Sequence, residues 1–200
     1  MFAVSRKLSK VNGVASFVSR TIGQNLRYIS VGTNLTEGKP GEITWQKARP
    51  WSNDESSSNK AVDNAVTIKD IFAKKKVVVF GVPAPFTGVC TEAHYPGYRD
   101  MAKDFKSQKG VDTVICYTVA DPYSQFHWAK SMKNNFDDIT FLADADCSWA
   151  KEHKLDRDYS GASLGTRSAR FSMIVEDGVV KNFQIVEDAK NDAKAVFENA

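Results

Sequence analysis

Long apolar runs are missing from this 200-residue chain: no stretch approaches the roughly 20 residues that a helix needs to cross a bilayer. Cysteine is scarce. Three residues at unrelated spacings, with no Cys-x-x-Cys pair, make no disulfide framework, and reduced thiols in an intracellular compartment are the default. The same scarcity argues against a metal centre. Cys90 and His94 stand four apart, but Cys116 and Cys147 are isolated, and His127 and His153 fall in unrelated segments. No glycine-rich phosphate loop, Gly-x-Ser-x-Gly elbow or His-Glu-x-x-His motif occurs. Acids are absent from residues 1–36, the first being Glu37.

That last absence explains the formal charge of +3, which is unevenly spread. Residues 1–36 carry Arg6, Lys7, Lys10, Arg20 and Arg27; without these five, 22 bases face 24 acids, a net of −2. The remainder offers no phosphate-binding surface, so neither a nucleic acid nor a membrane is expected as a partner. Leu8, Val11, Ala15, Val18, Ile22 and Leu26 recur at steps of three or four among basic and hydroxyl residues. An acid-free amphipathic start of this kind reads as a mitochondrial presequence directing import into the matrix. Removal near Arg27-Tyr28-Ile29-Ser30 is expected, with a disordered basic arm as the alternative. Residues 1–30 are therefore assigned to a leader, and residues 31–200 to one globular domain, in a chain 42% hydrophobic.

Within the domain, Ile43-Thr44-Trp45 is a short β-like run, and residues 52–60 are a polar surface loop. Thr67–Phe72 suggests a capped helical turn. Val77–Phe80, Val111–Val119 and Ile139–Ala143 read as buried strands. Between them, Tyr98, Met101 and Phe105 mark a helix that Pro96 kinks or divides. A second helix follows Asp121-Pro122, with Ser124 as its cap and Phe126, Ala129 and Met132 facing inward. A third runs through Trp149. Residues 170–186 form two alternating strands joined at Asp177-Gly178. The alternation, closed by a hairpin, predicts an α/β sheet with a mixed edge.

The most informative segment is Pro83-Ala84-Pro85-Phe86-Thr87-Gly88-Val89-Cys90. It joins a buried strand to a helical segment and so places Cys90 in a helix's first turn, where free backbone N–H groups and the dipole favour a thiolate. A lone cysteine is commonly just a small buried hydrophobe; the strand-to-helix junction makes this one a candidate nucleophile.

The spacing Pro83…Thr87…Cys90, followed by His94, Pro96 and Gly97, resembles the active-site signature of peroxiredoxins, most nearly the type II group with mitochondrial members. The resemblance runs from about Trp45 to Val186. It includes Asp121-Pro122 with Trp128 downstream and the run Leu164–Met173 before a Glu-Asp-Gly hairpin. Ala84-Pro85 replaces the usual Gly-Ala, and Ala120 stands where an Asn is usual, so both departures bear on pocket shape.

The resemblance implies a thioredoxin-like fold, with a central mixed sheet flanked by helices, and a thiol peroxidase needing no cofactor or metal. Hydrogen peroxide and alkyl hydroperoxides are the implied substrates, and a homodimer the implied assembly. It makes Cys90 the residue that becomes a sulfenic acid. Thr87 would hydrogen-bond peroxide or sulfur, with a helix N-cap as its plain alternative, and Pro83 would shield the sulfur. Arg170 matches the family's second-site arginine, a permanent cation beside the reacting atoms. Arg167 is a supporting or surface residue. His94 is expected to make a structural hydrogen bond or a dimer contact rather than act as a base, and Trp128 to pack in the core.

Cys116, 26 residues after Cys90, matches the second cysteine of type II relatives with one extra residue between them. It is either a resolving thiol, reached only if the helix start unwinds, or a buried strand residue. Cys147 has no matching role. No cysteine follows Ile185, so glutathione with glutaredoxin stands beside thioredoxin as the expected reductant. Two competitors remain: a redox-sensing thioredoxin-like module without fast turnover, and a cysteine hydrolase or transferase with a His–Asp/Asn partner for Cys90.

Overall fold

The computed structural model describes residues 29–53 and 59–200. The expected leader, apart from Ile29 and Ser30, and the middle of the polar loop lie outside the described residues. Nine strands occur in chain order among the described residues: β1 (Thr44–Lys47), β2 (Ala65–Thr67), β3 (Lys76–Gly81), β4 (Thr113–Thr118), β5 (Ile139–Ala143), β6 (Asp156–Asp158), β7 (Thr166–Ser168), β8 (Phe171–Glu176) and β9 (Val179–Ile185). Seven form one sheet in the order β2-β1-β5-β4-β3-β8-β9, and β6 pairs with β7 as a separate ribbon. β3, β4 and β5 run parallel, while β1, β8 and β9 join antiparallel.

The period-two geometry of strands sorts the apolar residues between two cores. Val77, Val79, Ile115 and Tyr117 face one layer, while Val78, Phe80, Val114 and Cys116 face the other. Helices α2 (Ile68–Phe72) and α5 (Ser148–Glu152) cover the first face. The second is covered by α3 (Tyr95–Lys109), α4 (Pro122–Ser131) and α6 (Asp192–Asn199), with Tyr98, Phe105, Trp128 and Val196 buried against it. A short α1 (Gly38–Glu42) precedes β1. This is the thioredoxin-like arrangement that the sequence resemblance implies.

Several local expectations are met by their own chemistry. Thr67 caps α2, its hydroxyl oxygen accepting from the Asp70 amide at 3.0 Å, a bond type contributing about 1 kcal/mol. Asp177 (φ 45°) and Gly178 (φ 77°) make the tight turn between β8 and β9. Others are corrected. α4 is capped by Asp121, whose carboxylate accepts from the amides of Tyr123 and Ser124; Ser124 is a donor to that cap, not the cap itself. Ala129 is buried and Met132 packs against the core as expected, but Gln125 and Trp128 complete the inner face of α4 in place of Phe126, because Gln125 Nε2 turns inward to donate to the Cys116 and Leu142 carbonyls. β8 does not alternate: it lies inside the sheet and is buried on both faces through Val175. The β6–β7 ribbon and α6 carry no strong sequence signal.

Candidate active site

The end of β3 sets the site. Gly81 is paired with Phe171 across the sheet, and the space a Cβ would need is filled by the Phe171 ring, 2.1 Å away. A glycine is therefore required for the two strands to close where Arg170 enters β8. Beyond Gly81 the chain turns through Pro83 to Phe86, which takes a left-handed φ of 61° while 60% exposed. That conformation costs a bulky residue about 1–2 kcal/mol, and such strain gathers at functional loops. Residues Val89–His94 then form a π-helical turn that runs into α3. The Tyr95 amide donates to the Cys90 carbonyl, closing the wide i→i+5 ring typical of such turns. Pro96 lies in the first turn of α3, where its missing N–H costs nothing, so it divides the helix into a π start and an α body.

Cys90 stands in the first turn of this segment, only 1% exposed. Arg170, just before β8, donates from Nη2 to its sulfur at 3.3 Å. The same guanidinium donates from Nη1 to His94 Nδ1 at 3.0 Å. His94 Nε2 lies 2.8 Å from Asp192 Oδ2. An arginine has only donors, so Nδ1 must be bare and the single ring proton sits on Nε2, donated to the carboxylate. The short contact is thus a hydrogen bond from a neutral imidazole, and burial agrees by pushing His94 below its ordinary 6.5. Burial would raise Asp192, yet hydrogen bonds from His94, Tyr98 and Ser172 outweigh it and hold the carboxyl below its ordinary range. Tyr98 Oη donates to Oδ2 at 2.6 Å; Ser172 Oγ and Gln184 Nε2 donate to Oδ1 at 2.8 and 2.6 Å.

Thr87 and Pro83 flank the sulfur's turn. Thr87 Oγ1 donates to the Ala84 carbonyl at 2.9 Å, so its hydroxyl does not cap the helix and presents lone pairs only. Pro83 is buried, and with Arg170 it walls an open cleft of about 450 Å³ that Tyr159, Ile185 and Val186 also line. Trp128 is packed in the core as expected and also donates from Nε1 to Thr91 Oγ1 at 3.0 Å, pinning the turn one residue past Cys90. Arg167 lies in β7, where Nη1 donates to the neighbouring Thr166 carbonyl at 3.2 Å.

Cys116 occupies the central strand β4, fully buried in the same core as Cys90. Burial, with Cys90 nearby, pushes its thiol well above the ordinary range, so it is a neutral thiol in this arrangement. Cys90, Cys116 and Cys147 are all unbridged. Cys147 belongs to the opposite core, and burial pushes it up to about 11.

The sequence-predicted Cys90, Arg170 and His94 are thus joined by hydrogen bonds, Pro83 and Thr87 flank them, Cys116 lies beneath in the core, and Arg167 makes its hydrogen bond elsewhere. His94 makes the structural bonds expected of it, but inside the molecule rather than at a surface. Both its nitrogens are engaged away from the sulfur, which removes the base that a hydrolase would need. Sequence reasoning missed Asp192, Tyr98, Ser172 and Gln184. Ser172 lay inside the recognised run after Arg170, but nothing in an isolated aspartate at the start of the last helix marks it.

Comparison with known proteins places the chain in a family. The family model described as Redoxin matches residues 50–199. Mitochondrial peroxiredoxin-2F of Arabidopsis thaliana is 42% identical over 192 residues, covering 94% of this chain and 90% of its own. Its namesake from Oryza sativa subsp. japonica is 40% identical over 192 residues, covering 96% and 93%. Among solved structures, reduced Prx3 of Vibrio vulnificus in complex with hydrogen peroxide superimposes with a TM-score of 0.67 at 30% identity, covering 84% of this chain and 99% of that one. The chain belongs to the redoxin family and, within it, to the mitochondrial type II peroxiredoxins, which are thiol-dependent peroxidases.

Proposed function

We propose that Cys90 is the peroxidatic residue and that hydrogen peroxide and alkyl hydroperoxides are its substrates. The Cys90 thiolate attacks the terminal oxygen of ROOH; the S–O bond forms as O–O breaks, the alkoxide leaves, and one proton from solvent completes the alcohol. The products are Cys90 sulfenic acid and ROH. Arg170 donates to the sulfur and to the oxygens as charge develops along O–O, where a preorganised cation acts mainly on the transition state. Thr87, with its proton committed to Ala84, accepts from the O–H of the incoming peroxide. Pro83 keeps bulk water from the sulfur, and the cleft beside it, which Arg157 and Asp158 also line, offers an alkyl chain the apolar side chains of Ile185 and Val186. The observation that carries this reading is the guanidinium nitrogen 3.3 Å from the buried sulfur.

The sulfenic acid is recycled by two thiols. Glutathione condenses with it, releasing water and leaving a mixed disulfide that a second thiol, delivered by glutaredoxin, resolves. Cys116 is a slow internal alternative, because a neutral thiol in a central strand can attack only after the π turn unwinds; thioredoxin would reduce the disulfide so formed. Exposed Phe86 and Val89, 60% and 55% accessible beside Cys90, support pairing of two copies through this surface. The leader is cut within Arg27–Ser30, and Ile29, buried in the domain's core, favours the N-terminal end of that window, so that the peroxidase domain starts at about Ile29 rather than at residue 31. Stopped-flow peroxide consumption tests the core of this reading: Cys90→Ser should abolish turnover with either reductant, and retained turnover would overturn the assignment.

A further inference from the structure

We propose that Asp192, acting through His94, is a positioning residue for peroxide reduction: it holds the imidazole in the one tautomer and ring orientation that aims Arg170 at Cys90. The inference rests on the reading of Cys90 and Arg170 given above and names the residue on which that reading's geometry depends.

Four side chains form an unbroken line. Cys90 Sγ accepts from Arg170 Nη2 at 3.3 Å, Arg170 Nη1 donates to His94 Nδ1 at 3.0 Å, and His94 Nε2 donates to Asp192 Oδ2 at 2.8 Å. The arginine reads the imidazole as an acceptor only, so the carboxylate must take the other nitrogen's proton for the bond to exist. An Nδ1–H tautomer would turn a donor toward the guanidinium and push it from the sulfur.

The ring has no freedom to find another arrangement. It is 0% exposed and stands edge-on to Phe80 and Tyr98, with centroids at 5.4 and 5.5 Å. Asp192 is equally fixed. Only 3% exposed, it accepts from four donors: His94, Tyr98, Ser172 and Gln184. No lysine or arginine touches that carboxylate among the described contacts; the nearest cation in the line is Arg170, one imidazole away.

The position of α6 is what delivers the carboxylate. A Cβ on Gly97 would lie 3.0 Å from the Ala193 Cβ, so the glycine lets α6 settle on α3 one residue from Asp192. Apolar side chains would hold this interface at lower desolvation cost. A charged, fully satisfied network that ends on the reacting sulfur fits a positioning role better than a docking role alone.

The test is a double-mutant cycle on the rate of Cys90 oxidation by hydrogen peroxide, using Asp192→Asn, Arg170→Lys and their combination. A lysine lacks the planar fork that gives one nitrogen to the sulfur and another to the imidazole, so it uncouples the line while keeping the charge. Displacing a positioned group by about 1 Å can cost up to a hundredfold, so Asp192→Asn should slow oxidation about 10- to 100-fold with Arg170 present and have no further effect once Arg170→Lys is in place. An unchanged rate, or a loss that persists in full in the Arg170→Lys background, overturns the proposal while leaving the parent reading intact. A rate indifferent to Arg170→Lys overturns both. Nitrogen-15 NMR of the unmutated protein gives a readout that survives a misfolded variant: a neutral His94 protonated on Nε2 is expected, and an imidazolium or an Nδ1–H tautomer refutes the inference.

Discussion

Adding one methyl group at Gly81 should damage both fold and site, although residue 81 touches no substrate. An alanine Cβ there would lie 2.1, 2.4 and 2.7 Å from three atoms of the Phe171 ring, where ordinary contact begins at 3.4 Å. The ring would have to retreat by about 1.3 Å, from 2.1 to 3.4 Å. It cannot do so freely. Phe171 is fully buried, with Tyr117, Trp149 and Phe183 rings at 5.5, 5.9 and 6.1 Å between centroids. Overpacking of this kind costs about 1–3 kcal/mol, and each kcal/mol lowers Tm by about 2–4 °C in a domain of this size. The backbone that yields instead carries Arg170, so peroxide oxidation of Cys90 should slow by about ten- to a hundredfold. Gly88→Ala is the control. Its Cβ would meet nothing, and φ is an ordinary −55°, so it should be neutral or stabilise by about 0.4–1 kcal/mol with turnover retained. Thermal denaturation and stopped-flow oxidation of both variants decide the matter. Equal Tm and equal rates for Gly81→Ala and the unmutated protein would refute the reasoning.

Two further outcomes follow from the buried titratable groups. Burial depresses His94, so its contribution to stability is complete above its ordinary 6.5 and is lost as pH falls through the folded-state value. Protonation would place an N–H and a positive charge against Arg170, so the denaturant midpoint and the oxidation rate should fall together as pH drops below 6.5. His94→Gln should flatten the stability component, and an unchanged pH slope in that variant would remove His94 as its source. Cys116→Ala should leave the first oxidation of Cys90 near its normal rate and spare glutathione-supported turnover. Only the internal disulfide, followed by mass spectrometry of oxidised protein, should disappear; loss of the burst of sulfenic acid would show instead that Cys116 takes part in the first step.

Two kinds of information separate cleanly in this chain. The strands were legible because their signal is local: Val77–Phe80 and Ile139–Ala143 are short, mostly apolar runs of the kind a sheet covered on both faces buries, and Asp177-Gly178 supplies the positive φ values of a tight turn. The setting of Cys90 was legible for the same reason, since a strand end, two prolines, a threonine and a helix start lie within a dozen residues. Where the reading slipped, neighbouring polar groups had competed for one task. Asp121 took the cap from Ser124 because its carboxylate reaches two amides, and Gln125 stands on the inner face of α4 where Phe126 is expected because it donates to two strand carbonyls.

Amino-acid order by itself singled out the candidate nucleophile, an α/β sheet closed by a hairpin, and the family, all carried by short-range pattern. Tertiary structure alone decided how the sulfur's neighbours are joined. Arg170 meets His94 across 76 residues, and His94 meets Asp192 across 98. No periodicity spans such distances. The line of donors exists because α6 closes on α3 and Gly81 lets β8 draw near β3; hydrogen-bond direction then leaves the histidine one tautomer and the arginine one orientation.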